Sequence, residues 1–292
     1  MSSNLLSVID RTMPGLSKGQ KAIAKFILDH YDKAAFMTAA RLGATVGVSE
    51  STVVRFATEI GYEGYPGLQK ALQEMIRNRL TAVQRMEVTN SLLGDADVLQ
   101  KVLQTDLEAV KNTLESVDRQ AFDSAVKAII AAKRIYMIGV RSASALAHFL
   151  NFYFSHIFDN VQNIDTASTG AILEQMVRVG PGDVFIGITF SRYSSRTYRA
   201  ATFAKQSGAT VLAITDSKDA PICRVADQIL VAKSDMASFV DSLVAPFSLT
   251  NALIVAIGIE KREEISAIYT RLEAIWDEND VYQKAEADGQ ES

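Results

Sequence analysis

Two groups of residues have the types and spacing to do chemistry. In the first, Ser49, Ser51, Thr52 and Arg55 open a segment whose apolar residues Val48, Val53, Phe56 and Ile60 share one helical face. With that face turned inward, Ser51, Thr52, Arg55 and Glu59 point outward. Short polar side chains at a helix start, with a guanidinium one turn on, can hydrogen-bond base edges in the major groove of DNA. Lys18, Lys21 and Arg41 could hold phosphates, which position a duplex without reading its sequence. The same residues also suit a helical hairpin that only packs on something else.

The second group lies at two strand-like ends. Gly139-Val-Arg-Ser-Ala-Ser144 follows the apolar run Arg134–Ile138, and Thr189-Phe-Ser-Arg-Tyr-Ser-Ser-Arg-Thr197 follows Val184–Thr189. Where a strand turns into a helix, unpaired backbone N–H groups and the helix dipole favour an anion. Ser142, Ser144, Ser191, Ser194 and Thr197 would add hydroxyl donors, and Arg141, Arg192, Arg196 and Arg199 a bidentate grip on phosphate or carboxylate. For one such loop alone, simple helix capping with solvated arginines is the better reading. Two loops of one kind at different strand ends favour a ligand. Thr215-Asp216-Ser217 ends another strand at the same rim, and either a ligand contact or a plain turn before Pro221 suits it.

The elements that must position these groups follow from periodicity. Ser17 caps a first helix carrying Ile23, Phe26 and Ile27; a second begins near Thr38 and stops before Gly47; Ser49 caps a third, which ends at Gly61. Gly64, Pro66 and Gly67 read as a loop, with helix resuming from Leu68 to Leu80. Residues 81–120 read as a helical connector, with Leu103, Leu107, Val110 and Leu114 on one face. Beyond it the apolar run ending at Gly139 is followed by strand segments Val161–Ile164, Val184–Thr189, Thr210–Thr215 and Gln228–Val231. Helical segments Ala145–Phe158, Ala171–Val179 and Thr197–Ser207 separate most of them. Alternating strands and helices predict a parallel sheet with helices on both faces. Leu243–Ile259 is predicted to be a buried helix, since it is short for a membrane span and contains Pro246, Ser248, Thr250 and Asn251.

Composition narrows the classes. The 292 residues are 48% hydrophobic and 22% charged, which excludes disorder as the main state. The lone cysteine, Cys223, excludes an intrachain disulfide scaffold. The three histidines, His30, His148 and His156, come with no HExxH and no paired CxxC, so no metal site is expected. No G-x-G-x-x-G follows a strand and no P-loop is present, so no nucleotide cofactor is expected. The N-terminus has no signal-peptide pattern, which points to a cytoplasmic protein without membrane contact. Residues 1–80 carry ten basic and seven acidic side chains, net +3; residues 81–292 carry 20 and 27, net −7. A basic first quarter on an acidic body suits an anionic partner for that quarter.

The stretch Met37–Tyr62 (MTAARLGATVGVSESTVVRFATEIGY), with Gly64-Tyr65 and Leu68 after it, resembles the N-terminal domain of RpiR/MurR-type transcriptional regulators. YMIGVRSASALA, FIGITFSRYSSRT and VLAITDS resemble the loops of a sugar isomerase (SIS) domain. The resemblance covers nearly the whole chain. It implies a multidomain protein: an all-α helix-turn-helix domain over 1–77, a connector over 78–120, a three-layer α/β SIS domain with a five-stranded parallel sheet over 121–265, and a C-terminal helix with an acidic tail over 266–292.

It further implies a non-catalytic DNA-binding regulator, of the repressor type, of carbohydrate or related carbon metabolism. Its partners would be double-stranded operator DNA, an anionic effector such as a sugar phosphate, and further copies of the chain in a homodimer or homotetramer. DNA contacts would come from Lys18, Lys21, Arg41, Ser49, Ser51, Thr52 and Arg55. Ligand contacts would come from Gly139, Arg141, Ser142, Ser144, Ser191, Arg192, Ser194, Arg196 and Thr197. Two departures stand out. Arg141 replaces the second glycine of the usual first loop and Ala143 its serine, which suits an anion held by arginines. The alternative is a sugar-phosphate isomerase with a helical extension, for which Glu174 and His148 are the available general bases.

Overall fold

The computed structural model describes residues 5–76, 81, 83, 85–86, 97–165, 167–234 and 240–283. The helices of the first part are α1 (Leu5–Thr12), α2 (Lys18–Asp29), α3 (Tyr31–Ala34), α4 (Ala39–Val46), α5 (Glu50–Glu59) and α6 (Tyr65–Ile76). Ser17 closes a full capping box with Gln20 at the start of α2. Thr38 caps α4 by accepting from the Arg41 amide at 3.2 Å. These short helices are marginal alone. They are held by one core that includes Ile23, Ile27, Leu42, Val53, Phe56, Leu68 and Leu72, all buried.

The helix read as starting at Leu68 begins at Tyr65. Pro66 and Gly67, read as loop, occupy its first turn, where proline's missing N–H has no bond to lose. Residues 77–80 lie outside the described residues. From α6, the Tyr65 hydroxyl donates to the Met37 carbonyl at 2.7 Å and sits 3.3 Å from the Ala34 carbonyl. Gln69 donates to the same Met37 carbonyl and Gln73 to that of Ala35. Three side chains of one helix thus satisfy the carbonyls at the end of α3, just before α4 starts.

The connector contains α7 (Val98–Ser116), capped by Asp97, then α8 (Arg119–Ile130), capped by Asp118. The α/β part has β1 (Ile135–Gly139), α9 (Ser144–Ile157), β2 (Val161–Asn163), α10 (Thr169–Gln175), β3 (Val184–Ile188), α11 (Ser195–Gln206), β4 (Thr210–Thr215) and β5 (Gln228–Val231). α12 (Val244–Glu260) and α13 (Arg262–Glu278) close it. All strand pairs are parallel, in the order β2-β1-β3-β4-β5. Ile135, Met137, Ile186, Leu212 and Leu230 face α8, α9 and α12; Tyr136, Ile138, Phe185 and Val211 face α10 and α11. The expected five-stranded parallel sheet in three layers is what the chain forms.

Two helices bury one side and leave apolar side chains exposed on another. α12 buries Leu249, Leu253, Ile254 and Ile257, but Val255 and Ile259 on its opposite side are 52% and 70% exposed. The apolar face of α7 also points outward: Leu103, Leu107 and Leu114 are 58–64% exposed, while Ala109 and Thr113 turn toward the α/β part. α13 buries no residue at all. No single helix among the described residues is long and apolar enough to cross a membrane.

Burial raises the Tyr65 hydroxyl from 10.0 to about 12. The fold therefore favours the protonated phenol, and this contribution is intact below pH 10 and lost as pH rises toward 12. Tyr65→Phe should lower stability by about 1–3 kcal/mol, because the Met37 carbonyl loses its shortest partner. It should also flatten the decline above pH 10; chemical denaturation followed by circular dichroism at pH 7 and pH 10.5 checks both.

Candidate nucleic-acid interface and anion rim

α4, the turn at Gly47 and α5 form the helix pair. Gly47 takes φ +75°, which only glycine adopts without penalty. Gly43 permits the close approach: a Cβ there would lie 2.7 Å from the Val48 carbonyl oxygen. That packing role is not visible in the periodicity, which marked Gly47 alone. Val53, Phe56 and Ile60 are buried and Val48 half-buried, so α5 turns its other side outward.

On that outer side Ser49, Ser51 and Arg55 are exposed. The Ser49 hydroxyl sits at the cap position without bonding the backbone; it lies 2.9 Å from that of Ser51 and 2.8 Å from that of Thr52. The Arg55 Nε donates to the Ser51 carbonyl at 3.2 Å, which aligns its guanidinium along the helix. Thr52 is only half-exposed, because its methyl faces α2: a Cβ on Gly19 would meet Thr52 Cγ2 at 3.5 Å and Val48 Cγ1 at 3.3 Å. The start of α2 thus abuts the start of α5, and this brings the exposed Lys18 and Lys21 alongside it; Arg41 is exposed on α4. Val54, 40% exposed on the same face, did not stand out in the sequence, where it read as one more apolar residue. An exposed valine there can meet a thymine methyl.

The second group gathers at the carboxyl edge of the sheet. β1 and β3 are adjacent and in register, Gly139 beside Ile188. Their helices, α9 and α11, leave to opposite faces, so a crevice opens between them at the point where strand order reverses. Gly139 is obligatory: a Cβ would lie 2.2 Å from the Ala143 carbonyl oxygen. The chain then passes through Arg141 at φ +62°, the conformation the missing glycine would supply. The Ser144 hydroxyl donates to the Arg141 carbonyl and so is spent on holding the turn, while Ser142 is exposed.

After β3 the Ser191 amide donates to Asp216 at 3.1 Å, and the Ser194 amide to the Thr189 hydroxyl at 3.1 Å. Ser194 caps α11 by accepting from the Thr197 amide. The Thr197 hydroxyl, fully buried in the first turn, has no partner among the described residues. Arg192 is at φ +63°, and its side chain and those of Arg196 and Arg199 are exposed. Asp216 is buried and acts here as a scaffold for the loop. Nearby, burial foremost, then Asp216 and Asp219, push the Cys223 thiol up to about 11, so it stays protonated at neutral pH.

The histidines and Glu174 sit apart. His148 Nδ1 lies 2.7 Å from the Ser144 carbonyl on α9, and His156 lies 3.4 Å from the Tyr269 hydroxyl. Glu174 is exposed on α10, on the opposite face of the sheet from His148. Among the described residues no cluster of His, Cys, Asp or Glu could hold a metal ion.

Comparison with known proteins identifies both parts. Residues 3–79 match the helix-turn-helix domain of the rpiR family and residues 128–256 match the SIS domain. The chain belongs to the RpiR family. It is therefore a transcriptional regulator with a SIS domain. The regulator HexR of Pseudomonas aeruginosa is 24% identical over 76% of each chain; HexR of Escherichia coli is 26% identical over 76% of this chain and 75% of its own. Among solved structures, the sugar isomerase domain of an RpiR transcription factor from Sphaerobacter thermophilus is 26% identical, with a TM-score of 0.57, over 60% of this chain and 97% of its own. Vibrio vulnificus NanR complexed with ManNAc-6P shares the fold at 22% identity and a TM-score of 0.57, over 93% of this chain and 98% of its own.

Because a backbone oxygen opposes any side chain at position 139, Gly139→Ala should destabilise the RpiR-family SIS domain by at least about 3 kcal/mol. A thermal melt should show it as a large fall in midpoint, whereas Ser142→Ala at the exposed position beside it should melt like the parent.

Proposed function

We propose that the chain is an operator-binding repressor of carbohydrate or related carbon metabolism, released or recruited by an anionic metabolite such as a sugar phosphate bound at the β1/β3 crevice. The observation that carries the DNA half is the outer face of α5. It offers Ser51, Val54 and Arg55 together, with exposed Lys18, Lys21 and Arg41 around it. In this reading α5 enters the major groove, Arg55 and Ser51 reach base edges, and the three flanking cations hold phosphates. Ser49 and Thr52 orient Ser51 through the shared hydroxyl bonds.

The ligand half rests on the two strand-end loops and on the unpartnered Thr197 hydroxyl. The NanR structure with ManNAc-6P is a neighbour of the same fold and supports a sugar phosphate as the class. The rim reads as a sensor because the two groups that could act as general base, Glu174 and His148, lie on helices across the sheet from one another. The protein works in the cytoplasm, where operator DNA and phosphorylated metabolites meet.

The outward apolar face of α7 supports self-association. Leu99, Leu103, Leu107 and Leu114 are each about three-fifths or more exposed along one stripe. Such a stripe exceeds what a monomer normally leaves to water. A second copy covers it, and two heads then meet a pseudo-palindromic site.

Binding to the promoter beside the chain's own gene, followed by fluorescence anisotropy at two salt concentrations, tests the reading. Arg55→Ala should cost about 1–3 kcal/mol and relax specificity, while Lys18→Ala should weaken all sequences alike and reduce the salt slope by about one. Operator affinity unchanged by Arg55→Ala sinks the placement of α5. Separately, Leu103→Glu with Leu107→Glu should halve the mass in light scattering and weaken operator binding; an unchanged mass sinks the α7 interface.

A further inference from the structure

Glycine supplies the left-handed backbone at Gly47, Gly61, Gly64, Gly182 and Gly208. Among the described residues three others share it, and two of these are arginines at the same rim: Arg141 at φ +62° and Arg192 at φ +63°. A side chain in this region strains the backbone, and such strain persists where surrounding structure and ligand clamps impose it. Glycine would relieve it at both places. The chain keeps a guanidinium at each.

The two positions are related by topology. Arg141 leaves β1 and Arg192 leaves β3, the adjacent strands that flank the reversal of strand order. Those strands lie roughly 5 Å apart. Beyond them the chain diverges: Arg141 starts the path to α9 on one face, Arg192 the path to α11 on the other. Each arginine therefore stands by its own helix N-terminus, on its own side of the crevice. The α11 side carries an unpaired donor as well. Thr197 is fully buried, its hydroxyl has no partner among the described residues, and helical side chains lean toward the N-terminus, here toward the Arg192 loop. Asp216, buried at the rim, accepts the Ser191 amide and lies 3.4 Å from the Thr215 hydroxyl.

We infer that the effector carries two separate anionic groups. One is a phosphate, held at the start of α11 by the Thr197 hydroxyl and Arg192. The other is a carboxylate or second phosphate, held across the crevice by Arg141. The inference rests on the rim being the effector site and narrows its ligand from sugar phosphates in general to doubly anionic ones. A single phosphate cannot meet both helix starts, because they lie on opposite faces of the sheet. A neutral sugar end would leave the exposed Arg141 guanidinium to water.

Isothermal titration of the full chain tests this with four probes: inorganic phosphate, glucose 6-phosphate, 6-phosphogluconate and fructose 1,6-bisphosphate. At least one of the two doubly anionic probes should bind ten-fold or more tighter than glucose 6-phosphate. Arg141→Gly should remove that advantage while leaving glucose 6-phosphate within about two-fold, and the melting temperature of the unliganded variant should not fall, because glycine accepts the backbone that arginine strains. Arg192→Gly and Thr197→Val should weaken every probe. Equal binding of probes with one and with two anionic groups, indifferent to Arg141→Gly, overturns the inference and leaves the rim standing as a site. No binding of any probe at millimolar concentration by the folded chain overturns the rim reading and this inference with it.

Discussion

The parallel pairing of β1 with β3 is the constraint on which the α/β part depends. Neither strand can pair with the other unless the chain crosses over between them, and the crossovers send α9 and α11 to opposite faces. The crevice between those helices is a by-product of that topology. Its walls are exact in one respect only: the backbone after β1 folds back so tightly that Gly139 has no room for a Cβ. This tightness fixes where Arg141 emerges and what φ it must take. The loop after β3 is fixed differently, by side chains. Asp216 and Thr189 take the amides of Ser191 and Ser194, so a buried carboxylate and a hydroxyl do for the second loop what a close backbone contact does for the first.

The connector meets the α/β part on the same side of the sheet. Arg85, almost fully buried, pairs with Asp241 at 2.8 Å; Asp106 on α7 accepts the Ser242 hydroxyl; Thr113 accepts the Lys233 amide at 2.9 Å. All three anchor points, Lys233, Asp241 and Ser242, lie in the segment between β5 and α12. A buried ion pair tolerates little displacement, since losing one partner strands the other charge away from water. The connector is therefore held to the segment between β5 and α12. Under the proposed function, an effector acts only if it binds one arrangement of these contacts more tightly than another.

Much of this was legible in the sequence, and the exceptions share a cause. β1, β3 and β4 were visible because a strand buried on both faces is a continuous apolar run, as in Ile135–Ile138 and Val184–Ile188, whereas the edge strands β2 and β5 are mostly half-buried and carry Gln162, Asn163 and Gln228. Thr38, Gly47 and the inward set Val53, Phe56 and Ile60 were visible because caps and helical periodicity are local. Gly43 and Gly139 were harder: what each needs is set by an atom several residues away. Pro66-Gly67 was misread because the pair marks a loop and a helix start alike. The exposure of the apolar residues on α7 and on one side of α12 was not legible, because an apolar face looks the same in sequence whether it is covered or open. Arg141 could be seen to replace a glycine, but nothing in the sequence told that the backbone keeps the glycine conformation, or that Arg192 matches it across the crevice.

The charge division completes the picture. The first 80 residues carry net +3 and the remainder net −7. Duplex DNA presents one negative charge per ~1.7 Å of axis, and the field of an exposed charge extends only about 10 Å at moderate salt. A body of the DNA's own sign is repelled as soon as it comes within that distance, whereas Lys18, Lys21, Arg41 and Arg55 gain from the same approach. Under the proposed function, orientation is settled before any base is read, because the helical head is the part of the chain that gains from the approach. The acidic body adds no affinity, but it removes the wrong encounters, and it leaves the arginines of the rim as the local exception to its sign. Under the proposed function, an anionic metabolite is drawn to those arginines by the same electrostatics that keep DNA from an acidic surface.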